Sequence, residues 1–83
     1  MTRPSFWLQD AEQFGGLLVD LRKLRGWTQA DVVRRMRTTM DPTHMGAYEN
    51  ARTMPNLRRM LDILSAHDYV IMAVPREEVE GGE

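Results

Sequence analysis

The sequence contains no cysteine, few aromatic residues and no long apolar run. Without cysteine, neither a disulfide framework nor a thiolate metal site can form. The longest apolar run, residues 69–74, is far shorter than the roughly 20 residues with which a helix crosses a bilayer. Residues 1–7 lack the pattern of a signal peptide. These absences predict a single cytoplasmic domain with no membrane partner.

Charge is distributed unevenly, although the 83 residues carry a net charge of only −1. Residues 1–20 and residues 61–83 are acidic, whereas residues 21–60 hold nine lysines and arginines against three acids. A basic block of this kind is the electrostatic footprint of a phosphate-binding surface. An ordinary solvated surface can have the same composition, so charge alone leaves both interpretations open.

Residues 28–50 have the pattern of two short helices joined by a turn. Thr28 and Asp31 form a variant capping box that begins the first helix. Apolar residues at helical spacing follow, and the pattern breaks after Met36. It restarts at Asp41, a capping residue followed by a proline at the first helical position. The segment therefore predicts a helix-turn-helix, the unit that places its second helix in the DNA major groove.

Two further helices are predicted around this motif. Residues 11–25 follow a capping box at Asp10, and residues 57–67 follow a capping residue at Asn56. Both have apolar residues at helical spacing. The residues expected to face inward are Phe14, Leu17, Leu18, Leu21 and Leu24 in the first helix, and Leu57, Met60, Leu61 and Leu64 in the last, with Ile63 alongside them.

Residues 69–74, YVIMAV, are rich in strand-favouring types and apolar on both faces. The sequence offers no second strand, so the partner strand is expected from another copy of the chain. The predicted organisation is an N-terminal arm (1–9), a helix-turn-helix domain (10–68), a dimerisation strand (69–74) and a disordered acidic tail (75–83). The predicted dimer interface consists of Tyr69, Val70, Ile71, Met72 and Val74.

The segments LRKLRGWTQADVV, YEN and MPNLRRMLDIL resemble the Cro/C1-type (Xre) helix-turn-helix family. Together with the strand YVIMAV they are similar to HipB-type antitoxins, in which a C-terminal strand pairs across a two-fold to hold the dimer. The resemblance implies a mainly all-α domain of four to five helices with one C-terminal β-strand pairing across a homodimer. It implies an antitoxin-like or phage-type repressor that binds double-stranded DNA at an inverted repeat, autoregulates, and is cytoplasmic and nucleoid-associated.

Three positions depart from the family pattern. The turn between Met36 and Met40 has about two residues more than the usual family turn. Ala51 stands where the family commonly has glycine, and His67 replaces the usual leucine near the end of the fourth helix.

The resemblance also assigns candidate DNA contacts. Gln29 and the backbone at the start of its helix would hold a phosphate, and the small side chains of the second motif helix would meet thymine methyl groups. The phosphate-binding candidates are Thr28, Gln29, Arg34, Arg37, Thr38 and Arg52. The base-facing candidates are Thr39, Pro42, Thr43, His44, Gly46 and Ala47.

An alternative remains open, because the outward positions of the second motif helix, Pro42, Thr43, Gly46 and Ala47, carry no long polar side chain. The motif would then be a helix-turn-helix-shaped protein-interaction module, toxin-neutralising or phage-derived, with weak or no specific DNA binding. Glu49 resembles the family's structural acid and is expected to accept hydrogen bonds from backbone or an arginine. No nucleophile, acid pair or histidine cluster stands out, so the sequence predicts no enzyme, no metal site and no cofactor.

Overall fold

A computed structural model describes residues 3–80 of the chain. Within that range there are five helices: α1 (Ala11–Arg25), α2 (Gln29–Arg35), α3 (Pro42–Glu49), α4 (Leu57–Ala66) and α5 (Arg76–Glu80). The prediction of a mainly all-α fold is confirmed. None of these helices has the length and apolarity needed to cross a membrane.

Each of the first four helices begins at the capping residue that the sequence predicted. The side chains of Asp10, Asp41 and Asn56 each accept a backbone N–H from the first turn of their helix. Thr28 and Asp31 form both bonds of the capping box, with Thr28 N donating to Asp31 Oδ2 (2.8 Å). These bonds satisfy N–H groups that the helix itself leaves without partners, so local sequence determines where the helices start.

The core lies where α1 packs on α3 and where α2 packs on both α3 and α4. The prediction of inward-facing leucines is wrong at Leu24, Leu57 and Leu61, which are 55%, 62% and 46% exposed. α4 packs against α2, and the buried residues of α4 are Ile63, Leu64 and Ala66. The buried apolar residues of the core are Phe14, Leu17, Leu18, Leu21, Val32, Met36, Met40, Met45, Tyr48, Ile63, Leu64 and Ala66.

Gly15 allows α1 to approach the end of α3 closely. A Cβ atom at this position would lie 2.7 Å from the Glu49 carbonyl oxygen and 2.8 Å from that of Tyr48. Both are backbone atoms, so the helices would have to move apart to admit a side chain. At Gly16 a Cβ would meet nothing within 4 Å. Of the two adjacent glycines, only Gly15 is required by the packing of α1 on α3.

Alanine substitutions should separate these two glycines. Gly15→Ala is expected to destabilise the fold by about 1–3 kcal/mol through overpacking. Gly16→Ala should stabilise it by about 0.5–1 kcal/mol, because alanine is the better helix former. Urea midpoints of the two variants measure the difference. Equal shifts in the same direction would show that α1 and α3 do not approach each other in this way.

The chain after α4 differs from the sequence prediction. Residues 69–75 have no regular secondary structure, and no strand occurs in residues 3–80. An isolated chain supplies no partner for the ladder hydrogen bonds, so the predicted strand is not supported by this structure. Residues 76–80 were predicted to be disordered, but they form α5. Acidic residues favour its first turn, and Glu78 N donates to the Pro75 carbonyl oxygen (3.0 Å). Residues 81–83 of the predicted tail lie outside the described residues.

Candidate nucleic-acid interface

A largely buried ion pair holds α1, α2 and α3 together. Arg22 donates from Nε to Glu49 Oε2 (2.6 Å) and from Nη2 to Oε1 (2.9 Å). The Gln29 amide donates to the same Oε1 (3.1 Å), and Arg22 Nη1 donates to the Trp27 carbonyl oxygen (3.0 Å). The hydrogen bonding of Arg22 to the Glu49 carboxylate, which accepts, raises the pKa of Arg22. Glu49, whose side chain is 4% exposed, therefore joins the two motif helices to α1. The expectation that it accepts hydrogen bonds from an arginine is confirmed.

The enlarged turn after α2 is tied to α4. Asp62 accepts from Arg37 N (2.8 Å), Thr38 N (3.0 Å) and Thr38 Oγ1 (2.6 Å). Partial burial raises the pKa of Asp62, but these hydrogen bonds outweigh it and hold the pKa below its usual value. The extra residues of the turn are therefore ordered by a carboxylate from another helix. Sequence reasoning missed this role of Asp62, because its partner is 24 residues away.

The candidate phosphate ligands fall into two groups. Thr28, Gln29 and Thr38 already use their side chains inside the protein, in the capping box, the Glu49 cluster and the Asp62 cluster. Arg34 pairs with Asp31 on the exposed side of α2. The side chains of Arg37 and Arg52 are exposed and form no hydrogen bond or ion pair within residues 3–80.

Arg37 precedes α3 in the sequence, and Arg52 follows it. Arg37 is in the turn that precedes the helix, and Arg52 is in the loop that follows it. An eight-residue helix is about 12 Å long. In the chain, Arg37 therefore precedes the first residue of α3 by five positions, and Arg52 follows its last residue by three.

The candidate base-facing residues are only partly exposed. Thr39, Pro42, Thr43 and His44 are exposed, whereas Gly46 and Ala47 are half-buried. The assignment of Gly46 is not favoured by its surroundings. A Cβ there would lie 3.3 Å from Gln29 Nε2. The absence of a side chain at Gly46 thus leaves room for the Gln29 side chain, at the start of α2, to pack against α3.

The accessible part of α3 is its amino-terminal half. His44 leans on Tyr48, with ring centroids 5.8 Å apart. Thr43 N donates to Asp41 Oδ1 (2.9 Å), and this backbone bond is the main cause that lowers the pKa of Asp41. The face therefore presents a hydroxyl, an imidazole and one carboxylate to solvent.

A second cluster, built around Trp27, lies at the end of α4. The indole stacks on His67 (5.3 Å between centroids), and the guanidinium groups of Arg35 and Arg25 lie 4.2 and 4.9 Å from its ring centre. Arg25 also donates to the His67 carbonyl oxygen (3.0 Å) and to Asp68 Oδ2 (3.1 Å). Arg25 thus places a cation at the carboxyl end of α4, where it stabilises the helix. Arg35 is engaged with the Trp27 ring, a contact that its position on α2 did not indicate.

His67 is buried, and neither of its ring nitrogens has a hydrogen-bond partner among the described residues. Desolvation, followed by the charges of Arg25 and Arg22, lowers its pKa to about 4, against smaller opposite effects of Glu49 and Asp68. The imidazole is therefore neutral in the folded protein at neutral pH. The only sign of this buried imidazole in the sequence was the histidine at a position where the family usually has leucine.

The lowered pKa of His67 predicts that the free energy of unfolding falls in mild acid. In the unfolded chain it binds a proton below about pH 6.5, whereas in the folded chain it does so only below about pH 4. Between these values the unfolded state holds more protons, so stability falls as the pH is lowered, by roughly 3 kcal/mol over the whole range. Urea unfolding at pH 7 and pH 4.5 measures this loss.

Two variants test the assignment. His67→Leu should raise stability at pH 7 by about 1–3 kcal/mol, since it removes two buried nitrogens without partners. It should also flatten the pH dependence between 4.5 and 7. His44→Gln, which removes an exposed imidazole, should leave the pH dependence as in the wild type. A His67→Leu protein that remains equally acid-sensitive would contradict the assignment.

The predicted dimer residues form a mostly exposed apolar segment. Val70, Ile71 and Met72 are exposed, and Tyr69 and Val74 are half-buried. Within residues 3–80, the backbone N–H groups of 70–74 make no hydrogen bond. The segment therefore retains the hydrogen-bonding groups that a pairing strand needs.

Comparisons of the chain with protein-family models, with curated proteins and with solved structures gave no match. What the chain can do is therefore argued from its own geometry. That geometry provides a rigid pair of short helices, an exposed half of the second helix, and unengaged arginines on both sides of it. Such an arrangement is chemically suited to an anionic, grooved ligand.

Proposed function

We propose that the protein is a DNA-binding transcriptional repressor with a helix-turn-helix of the Cro/C1 type. One observation carries the proposal. Along the chain, the exposed start of α3 lies between Arg37 and Arg52, whose side chains have no partners among the described residues. The two motif helices are tied together by Glu49, which accepts from Gln29 of α2 and from Arg22 of α1. A helix that enters a major groove needs basic groups at both ends, because phosphates line both walls of the groove.

Base reading by such a helix would be limited. Thr43 contributes a methyl group for thymine contact and a hydroxyl, and His44 contributes a donor or acceptor. Specificity would rely on these contacts together with DNA shape and phosphate positioning. The backbone at Ala51 supports the family resemblance. Its φ of +58° is the left-handed conformation that favours glycine, which the family commonly has there.

The proposed operator-binding form is a homodimer in which residues 69–74 pair as antiparallel strands. The unbonded backbone of residues 70–74 and their exposed apolar side chains support this pairing. An exposed strand edge of this composition tends to acquire a partner. Two-fold symmetry would place the half-sites about 10 base pairs apart, centre to centre, or at a multiple of that spacing.

A protein-interaction module is the second candidate, and one observation favours it. The exposed half of α3 contains no arginine, lysine, glutamine or asparagine, whereas large apolar side chains are exposed elsewhere, among them Trp7 and Met72. Such a protein would neutralise a toxin or bind another protein through these side chains. It would bind DNA weakly and with no preference for sequence.

A gel-shift titration against the DNA upstream of the coding region, with random DNA as competitor, tests the proposed function. Arg52→Ala should weaken specific and random binding alike and reduce the log–log salt slope by about 1. Arg76→Ala, which makes the same charge change in α5, should leave the slope unchanged. Equal affinity for both DNAs would reject the repressor and favour the second candidate. An unchanged slope for Arg52→Ala would exclude Arg52 from the interface.

A further inference from the structure

The N-terminal arm is bonded to the segment that follows α4. Arg3 donates from Nη1 to the His67 carbonyl oxygen (3.1 Å), and the Tyr69 hydroxyl donates to the Pro4 carbonyl oxygen (2.8 Å). The rings of Phe6 and Tyr69 pack with centroids 6.0 Å apart. The N-terminal arm and the segment after α4 therefore form one composite surface. This surface is here called the arm–segment surface and consists of residues 4–8 and 69–74.

This surface combines a groove with projecting side chains. A groove of about 530 Å³ is lined by arm residues, by residues 68–72 and 74, and by Leu17 and Leu64. Of the lining residues, Trp7, Val70 and Met72 are 56%, 86% and 74% exposed, so they project from the walls of the groove into solvent. Monomeric proteins rarely leave a contiguous apolar patch of this kind without a partner.

We propose that a second copy of this chain covers the arm–segment surface, with Trp7 of each copy inserted into the groove of the other. The inference rests on the homodimer of the proposed function, and it adds the arm to an interface that would otherwise consist of the strand alone. Trp7 would be the anchor of the interface, since aromatic residues in desolvated pockets supply most of the energy of such contacts.

Charge and shape favour a second copy as the occupant. Residues 4–8 and 69–74 contain no charged residue, and among the described residues Asp68 is the one charged residue that lines the groove. Two identical surfaces with so little charge can meet without strong like-charge repulsion. A two-fold interface must also be self-complementary, and this surface carries both the projecting side chain and the groove that would receive it.

Sedimentation equilibrium at tens of micromolar tests the inference on the full chain. The wild type should be a dimer, and Trp7→Ala should raise the dimer dissociation constant by at least about 30-fold, the factor equivalent to a hot-spot loss of 2 kcal/mol. Leu57→Ala, a truncation of another exposed apolar side chain on α4, is the matched control and should not change it. Circular dichroism should show both variants folded, because neither residue is in the core.

Tryptophan fluorescence provides an independent measurement. Dilution of the wild type through its dissociation constant should shift the emission to longer wavelength as Trp7 returns to water. Trp7→Phe should remove most of this shift and keep Trp27 as an internal reference. Tyr69→Phe, which removes the bond to Pro4, should weaken the dimer about 3- to 10-fold by loosening the arm.

The outcomes distinguish this inference from the proposed function. A monomeric wild type would overturn both the homodimer and the inference. A dimer that Ile71→Pro dissociates but Trp7→Ala does not would overturn the inference and leave the strand-paired dimer standing. Dissociation by Leu57→Ala would move the interface to α4 and overturn it as well. A Trp7-dependent dimer that binds no specific DNA would reject the repressor and support the inference.

Discussion

Glu49→Ala is expected to lower the free energy of unfolding by about 3–5 kcal/mol, because it leaves a largely buried charge on Arg22 without its partner. The same change removes the acceptor for Gln29, so all three helices lose a common bond. Small domains have about 5–15 kcal/mol of stability in total. The variant should therefore be mostly unfolded at modest urea concentrations, as measured by circular dichroism.

Two further variants isolate the cause. Asp20→Ala removes an exposed acid from α1 and should change stability by no more than about 0.5 kcal/mol. Glu49→Gln keeps the size of the side chain and one acceptor oxygen, so its effect should lie between the other two. If Glu49→Ala unfolds at the same urea concentration as Asp20→Ala, the ion pair does not hold the helices together.

Thr43→Glu is expected to abolish specific DNA binding, with a loss of at least about 100-fold in affinity. The position is exposed in the first turn of α3, where a carboxylate would face bases and phosphates and repel them. An acidic residue in the first turn of a helix stabilises that helix by about 0.3–1 kcal/mol. Binding should therefore be lost from a protein at least as stable as the wild type, which excludes unfolding as the reason.

Ala11→Glu is the matched control, since it places the same charge in the exposed first turn of α1. It should bind the operator as the wild type does, apart from the small effect of one unit of net charge. The measurement is a gel shift at fixed salt. Normal operator binding by Thr43→Glu would show that α3 does not enter the groove, and the protein-interaction module would become the better proposal.

The sequence by itself determined the first four helices and their starting points, but not α5. Asp10, Thr28, Asp41 and Asn56 cap helices through hydrogen bonds to backbone two or three residues away. Such short-range bonds depend only on neighbouring residue types, so they can be predicted from local sequence. The structural role of Glu49 was also predicted, although the identity of its partner was not.

Only the tertiary structure decided which residues within the motif remain available to a ligand. Thr38 and Gln29 were candidate phosphate ligands, but carboxylates from other helices, Asp62 and Glu49, already accept from them. Gly46 was a candidate base-facing residue, but it is half-buried, and the Gln29 side chain from α2 lies close to it. These contacts join residues 17 to 24 positions apart, and helical spacing places a residue on a face but not against a particular neighbour. The exposure of Leu57 and Leu61 has this same cause: they share one helical face with the buried Leu64, and only the packing of α4 in the folded domain decides which part of that face becomes core.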